Sequence, residues 1–152
     1  MCITMERRAF TGRFPYTLDP KGRVFIHSRF RGRLGDKFYI MKCMDAKCLA
    51  LISEEVFDEM SRKFDSVSST DRKVLALVRA LYAGIFECEL DAQGRLLIPP
   101  ELRSYAGLQR DIVVVGANTR VEIWDASTLE GNTVDLAEIT PDMLEMVAKY
   151  GI

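Results

Sequence analysis

Apolar residues along this chain gather in short runs cut by Gly, Pro and Asp, the pattern of brief strands joined by tight turns. In PYTLDPKGRVFI (15–26) an apolar-rich run meets Asp19-Pro20-Lys21-Gly22 and resumes as Val24, Phe25 and Ile26. Pro20 presets φ for the first central turn position, Asp19 can accept backbone N–H groups, and Gly22 supplies a positive φ. The runs FYIMKC (38–43) and CLALI (48–52) predict two more strands, joined through Met44, Asp45, Ala46 and Lys47.

The same order returns 72 residues later. LDPKGRVFIHSRFR (18–31) overlays LDAQGRLLIPPELR (90–103), with identity at Leu18/Leu90, Asp19/Asp91, Gly22/Gly94, Arg23/Arg95, Ile26/Ile98 and Arg31/Arg103. Gly35 then falls on Gly107, FYIMKC lies near IVVVGA (112–117), CLALI falls on RVEIW (120–124), and Ser53 matches Asp125. The repeat covers residues 12–57 and 84–129, each unit reading strand, tight turn, strand, short helix, strand, turn, strand. The second turn has Ala92 and Gln93 in place of Pro20 and Lys21, so the turn requires Asp and Gly while Pro is optional. Pro99-Pro100-Glu101 predicts a helix start and Gly107 its stop. Ser28 and Gly35 are expected to do the same in the first copy.

Between the units the period changes to that of helices. Ser53 is the expected cap of SEEVFDEMSRKF (53–64), with Val56, Phe57, Met60 and Phe64 as its apolar stripe. Thr70 or Asp71 should cap DRKVLALVRALYAG (71–84), ended by Gly84. Thr140-Pro141 opens a C-terminal helix closed by Gly151, and 132–140 reads as a connection. Trp124 belongs to the core or a subunit contact. Among Val74, Leu75, Val78, Leu81, Met143 and Met146, some must cover surface that one subunit cannot bury. One repeat unit is too small and strand-rich to bury its own apolar face. Two copies can complete each other about a pseudo-twofold axis, an α+β fold with one shared β core, inserted helices and a C-terminal helix.

Composition adds a constraint on partners. The 152 residues carry a formal net charge of −1, yet residues 1–48 hold eleven Lys and Arg against four Asp and Glu. The remainder holds ten against eighteen, so a polyanion-facing side is expected in the first part. No run approaches the roughly 20 apolar residues of a membrane span, and the first ten residues lack a secretory h-region. Cys2, Cys43, Cys48 and Cys88 form no C-x-x-C pair, and with one histidine there is no zinc set. Free thiols in a reducing cytoplasm are expected, with Cys43 and Cys48 able to approach each other across a hairpin. His27, the lone histidine, is expected at a strand end. An enzyme would need a clustered nucleophile, base or metal set, which the sequence does not present.

The pseudo-twofold arrangement places both D-x-x-G-R turns on related positions of one surface. Arg23 and Arg95 presented in this way suit duplex DNA, because arginine pairs with guanine edges or phosphate and a β-ribbon fits the major groove. The plainer alternative, an arginine paired with Asp19 or Asp91 of its own turn, is compatible with that role. Lys21, Arg29, Arg31 and Arg33 add positive potential around Arg23, whereas Gln93 and Glu101 accompany Arg95 in sequence.

DPKGRVFI and DAQGRLLIP, with Leu102-Arg103 after the second and EIWD near residue 122, resemble the MraZ family over roughly residues 10–130. The resemblance implies two tandem AbrB-like (SpoVT-AbrB, swapped-hairpin) units at 10–57 and 84–129, a connecting helical segment at 58–83 and a C-terminal segment at 130–152. It implies a transcriptional regulator of the cytoplasm and nucleoid, assembled as a ring-like homo-oligomer on short direct repeats in a promoter of the division and cell-wall gene cluster. The DNA-binding residues would be Lys21, Arg23 and Arg95, with Arg13 a candidate phosphate contact, and Asp19, Gly22, Asp91 and Gly94 would shape the turns. No cofactor, metal, membrane or small-molecule substrate is expected. The family usually has proline where His27 stands, and a few extra residues precede Phe10. The competing reading is an assembly protein whose ring organises protein partners.

Overall fold

A computed structural model describes residues 9–152; Cys2 and the residues ahead of Phe10 other than Ala9 lie outside the described residues. The first unit supplies β1 (Arg13–Thr17), β2 (Arg23–Phe25), α1 (Ser28–Leu34), β3 (Phe38–Lys42) and β4 (Leu49–Ser53). Helices α2 (Glu54–Phe64) and α3 (Arg72–Ala83) follow. The second unit repeats the order as β5 (Phe86–Cys88), β6 (Arg95–Leu97), α4 (Pro100–Ala106), β7 (Asp111–Ala117) and β8 (Arg120–Asp125). Short α5 (Ala126–Glu130), a 3-10 turn at Leu136–Glu138 and α6 (Pro141–Ala148) complete the chain.

The strands exchange between units. The six-stranded sheet runs β1-β7-β8-β4-β3-β5, and β2 and β6 form a separate antiparallel ribbon. Exchanging each strand for its repeat equivalent reverses this order and leaves it unchanged, so a pseudo-twofold axis passes between β4 and β8. Strands linked by a D-x-x-G-R turn are not each other's partners. β1 pairs with β7 of the other unit, β5 pairs with β3, and β2 pairs with β6. Reciprocal bonds extend the ribbon at both ends, from Ile26 N–H to the Gly94 carbonyl (3.0 Å) and from Ile98 N–H to the Gly22 carbonyl (2.9 Å).

Burial follows from this layering. Val24 and Leu96 on the inner face of the ribbon are buried, as are Ile26, Ile98, Phe30 of α1 and Leu102 of α4. They pack on one face of the large sheet. The opposite face carries Met41, Ala50, Ile52, Val113 and Trp124, covered by half-buried side chains of α2 and α3. Central β4 shows the consequence: Leu49 and Leu51 enter one cluster and Ala50 and Ile52 the other, so LALI reads as a continuous apolar run. Residues on α2 and α3 are at most half-buried, and Met146 of α6 is 64% exposed.

The helix ends follow the expectation in part and add to it. Helix α1 starts at Ser28 and stops at Gly35 as expected, and His27 caps it: its Nδ1 accepts from Arg29 N–H (3.0 Å), while its ring stacks on Phe14 at 4.2 Å. Its φ and ψ of −55° and 141° nearly match the −56° and 143° of Pro99, which caps α4. The histidine therefore adopts the proline's backbone geometry and adds a side-chain acceptor. Asp71, one of the two expected caps, caps α3, while Asp125, the repeat partner of Ser53, caps the unforeseen α5. The 3-10 turn lies in the segment read as a connection, and α6 ends at Ala148, ahead of Gly151.

Adjacent residues on β6 test this layering. Leu96 is 0% exposed and Leu97 60%. Leu96→Ala should lower the unfolding free energy by about 2–5 kcal/mol, and Leu97→Ala should stay within about 0.5 kcal/mol of the parent, both measured by urea denaturation.

Candidate nucleic-acid interface

Each D-x-x-G-R turn is built around one carboxylate. Asp19 Oδ1 accepts from the backbone N–H of Lys21 (2.9 Å) and Arg23 (2.8 Å), and Oδ2 receives Arg23 Nε at 2.6 Å. Asp91 repeats the pattern with Gln93 N–H (2.9 Å), Arg95 N–H (2.9 Å) and Arg95 Nε (3.0 Å). Gly22 N–H and Gly94 N–H close the turns onto the carbonyls of Asp19 and Asp91, at φ of +84° and +76°. A side chain is disfavoured there by the positive φ and by lack of room. A Cβ on Gly22 would stand 2.6 Å from the Arg103 guanidinium carbon, and one on Gly94 2.7 Å from Arg31 Nη1.

Those two arginines are the residues whose role the sequence reading missed. Arg103 of α4 lies under the first turn and donates Nε to the Ile98 carbonyl (3.0 Å). Arg31 of α1 lies under the second turn, its guanidinium 5.2 Å from the Phe25 ring centroid. Their identity at equivalent places in the repeat was the available signal. Arg31 is thus a support for the turn, not one of several free charges around Arg23, and Arg33 donates to the Ala9 carbonyl.

Ribbon register sets what faces outward. Arg23 lies opposite Leu97 and Phe25 opposite Arg95. Opposed residues of an antiparallel pair project to the same side, so Arg23, Phe25, Arg95 and Leu97 share the outer face while Val24 and Leu96 share the inner one. Arg95 Nη1 is 3.9 Å from Asp19 Oδ2, which links the two turns into one charged patch. The Arg23 and Arg95 side chains are 29% and 31% exposed. Lys21 stands exposed in the first turn, and Gln93 in the second. Glu101 does not accompany Arg95: it pairs with Lys42 at 3.2 Å. Arg13 is exposed at the end of β1 remote from the turn, paired in register with Val115 of the large sheet and not on the ribbon.

A second polar cluster sits at the β3–β4 hairpin. Cys43 and Cys48 are buried free thiols, Sγ to Sγ 3.0 Å, and Glu122 lies with them inside a 4.8 Å group. The thiol hydrogen bond lowers the Cys43 pKa and raises that of Cys48. Among the described residues this is the group that could hold a metal ion. Its carboxylate is committed, however: Glu122 Oε2 takes Arg120 Nη2 (2.6 Å) and Oε1 takes Trp124 Nε1 (2.9 Å). Arg120 also reaches Asp45 at 3.3 Å. A guanidinium already neutralises the cluster, and a cation would have to displace it.

Comparison with known proteins gives a consistent picture. A family model described as MraZ protein matches residues 9–79 and 81–138. A protein named Transcriptional regulator MraZ from Acetivibrio thermocellus is 43% identical over 143 residues, covering 94% of this chain and 99% of that protein. One of the same name from Moorella thermoacetica is 43% identical over 140 residues, covering 92% and 94%. A third, from Carboxydothermus hydrogenoformans, is 44% identical over 115 residues, covering 76% and 80%.

The turn geometry sets a pH dependence. The backbone N–H of Arg23 is the largest influence holding Asp19 below the ordinary carboxylate pKa, and the N–H of Arg95 does the same for Asp91; each bonded arginine side chain adds to the effect. A carboxylate with a depressed folded-state pKa contributes stability above its unfolded pKa and loses it as pH falls through the folded value. Carboxyl-carbon NMR titration should show both aspartates titrating below the ordinary aspartate value. Asp19→Asn should remove the Asp19 transition and leave the low transitions of Asp91 and Asp125 in place.

Proposed function

The chain belongs to the MraZ family, and from that premise we propose that it is a sequence-specific DNA-binding regulator of transcription. The observation that carries this reading is the ribbon face, where two arginines, each held by its own aspartate, stand on one outward surface about a pseudo-twofold axis. A two-stranded ribbon fits the major groove, and a guanidinium there can make a bidentate contact to guanine N7 and O6. Because Asp19 and Asp91 already order these side chains, less conformational entropy is lost on binding.

Lys21 and Arg23 are the primary DNA contacts in this proposal, with Arg95 in the second unit. Arg13, removed from the ribbon, is assigned to phosphate at most. Asp19, Gly22, Asp91 and Gly94 shape the turns. The units are residues 10–57 and 84–129, joined by 58–83 and followed by 130–152. The proposed target is a promoter with short direct repeats in the division and cell-wall gene cluster, bound in the cytoplasm at the nucleoid. A ring-like homo-oligomer would engage several repeats at once, so modest contacts per subunit combine through effective concentration. Exposed apolar side chains on α3 and α6, among them Leu77, Leu144 and Met146, support further contacts between copies.

The test is a mobility-shift titration on the duplex upstream of the protein's own gene, against a scrambled duplex. Wild type should shift the upstream duplex selectively, with affinity falling steeply as salt rises. Arg23→Ala should weaken binding roughly 5- to 150-fold, the equivalent of about 1–3 kcal/mol for a bidentate arginine contact, while light scattering shows an unchanged assembly. Lys21→Ala should weaken binding to both duplexes and reduce the salt slope by about one. Unchanged binding by Arg23→Ala would place the DNA elsewhere, and equal binding of both duplexes would favour the assembly reading.

A further inference from the structure

We infer that Leu97 is a specificity-determining residue that contacts the 5-methyl group of a thymine within two base pairs of the one read by Arg23, and that the two halves of the ribbon consequently read different sequences. This inference rests on the DNA-facing reading of the ribbon. It starts from an inequality between equivalent positions. Phe25 and Leu97 correspond in the repeat and share the outer face. Phe25 is half-buried because Tyr16 packs edge-on against it at 5.5 Å and Arg31 lies over its ring. Leu97 is 60% exposed. The equivalent of Tyr16 is the smaller Cys88, and the equivalent of Arg31, Arg103, gives its Nε to the Ile98 carbonyl. The edge-on ring that shields Phe25 therefore has no counterpart at Leu97.

Position makes this exposed leucine more than a scattered surface residue. It lies directly opposite Arg23 and shares its face with Arg95. Opposed residues of an antiparallel pair have Cβ atoms about 4.5–5.5 Å apart, whereas successive base pairs are separated by about 3.4 Å. With Arg23 on a guanine edge, the Leu97 side chain would fall one or two base pairs away. The thymine methyl is the apolar group that base edges present in the major groove. At the other half of the ribbon Arg95 faces the covered Phe25, so no equivalent methyl contact forms there. Each subunit then reads a directional, non-palindromic sequence despite its pseudo-twofold backbone. Identical copies related by rotation around a ring would repeat that direction along the DNA.

The experiment selects bound duplexes from a random library with the assembled full-length protein. Each thymine of the selected repeat is then replaced in turn by deoxyuridine, which removes only the methyl group. Wild type, Leu97→Ala and Arg23→Ala are titrated against these duplexes by fluorescence anisotropy. One deoxyuridine position, within two base pairs of a required guanine, should weaken wild type about fourfold per repeat, the worth of one buried methylene. Leu97→Ala should bind the thymine duplex more weakly and lose nothing further on the deoxyuridine duplex, with its assembly mass unchanged. The inference is overturned if no deoxyuridine position matters, if Leu97→Ala keeps the wild-type sensitivity, or if it breaks the assembly. If Arg23→Ala also binds like wild type, the DNA-facing reading falls with it. A large Arg23 effect beside an inert Leu97 overturns this inference alone.

Discussion

The exchange of backbone hydrogen bonds at the two turns is the constraint on which the molecule depends. The Gly22 carbonyl receives Ile98 N–H, and the Gly94 carbonyl receives Ile26 N–H. Each bond fixes the end of one unit's ribbon strand against the turn of the other. Each turn also rests on the other unit's helix, through Arg103 beneath Gly22 and Arg31 beneath Gly94. Neither unit can be completed alone, because its first strand lies in a sheet with the other unit's strands and its second strand forms half of the ribbon. The buried inner face of Val24 and Leu96 exists only once both units are present.

This interlocking is also what makes the outer face suitable for recognition. Asp19 and Asp91 spend their oxygens on backbone N–H groups and on one arginine each, so the charged tips are ordered before any partner arrives. A buried ribbon interior and an exposed ribbon exterior are two sides of three-residue strands, so the outer face inherits its rigidity from the core beneath it. The pseudo-symmetry is confined to the backbone and the turn-forming residues. Lys21 against Gln93, and Phe25 against Leu97, make the two halves chemically different on identical scaffolding.

Much of this was legible along the chain. The D-x-x-G-R turns, the strand order of each unit, the Ser53 and Thr140 caps and the buried Cys43 and Cys48 follow from residues a few positions apart. Less legible were features whose chemistry is shared between distant residues. His27 looked like a departure from proline, yet its backbone matches Pro99 and its ring finds Phe14. Glu101 looked like a neighbour of Arg95, yet helix α4 carries it to Lys42. Arg31 looked like free charge, yet it lies under Gly94.

By itself the sequence determined that the chain is a tandem duplication, that each copy turns on Asp and Gly, and that an arginine follows each turn. Local hydrogen bonding within four residues suffices for that, and the 72-residue offset displays it twice. Tertiary structure decided that turn-linked strands part company and pair across units, that Arg31 and Arg103 become supports, and that Leu97 is left open while Phe25 is covered. Those outcomes depend on which surfaces meet when two incomplete units close over a common core. No local period records that, because the partners stand far apart in the chain, as Ile40 does from Phe86 and Arg13 from Val115, and are selected by shape and burial.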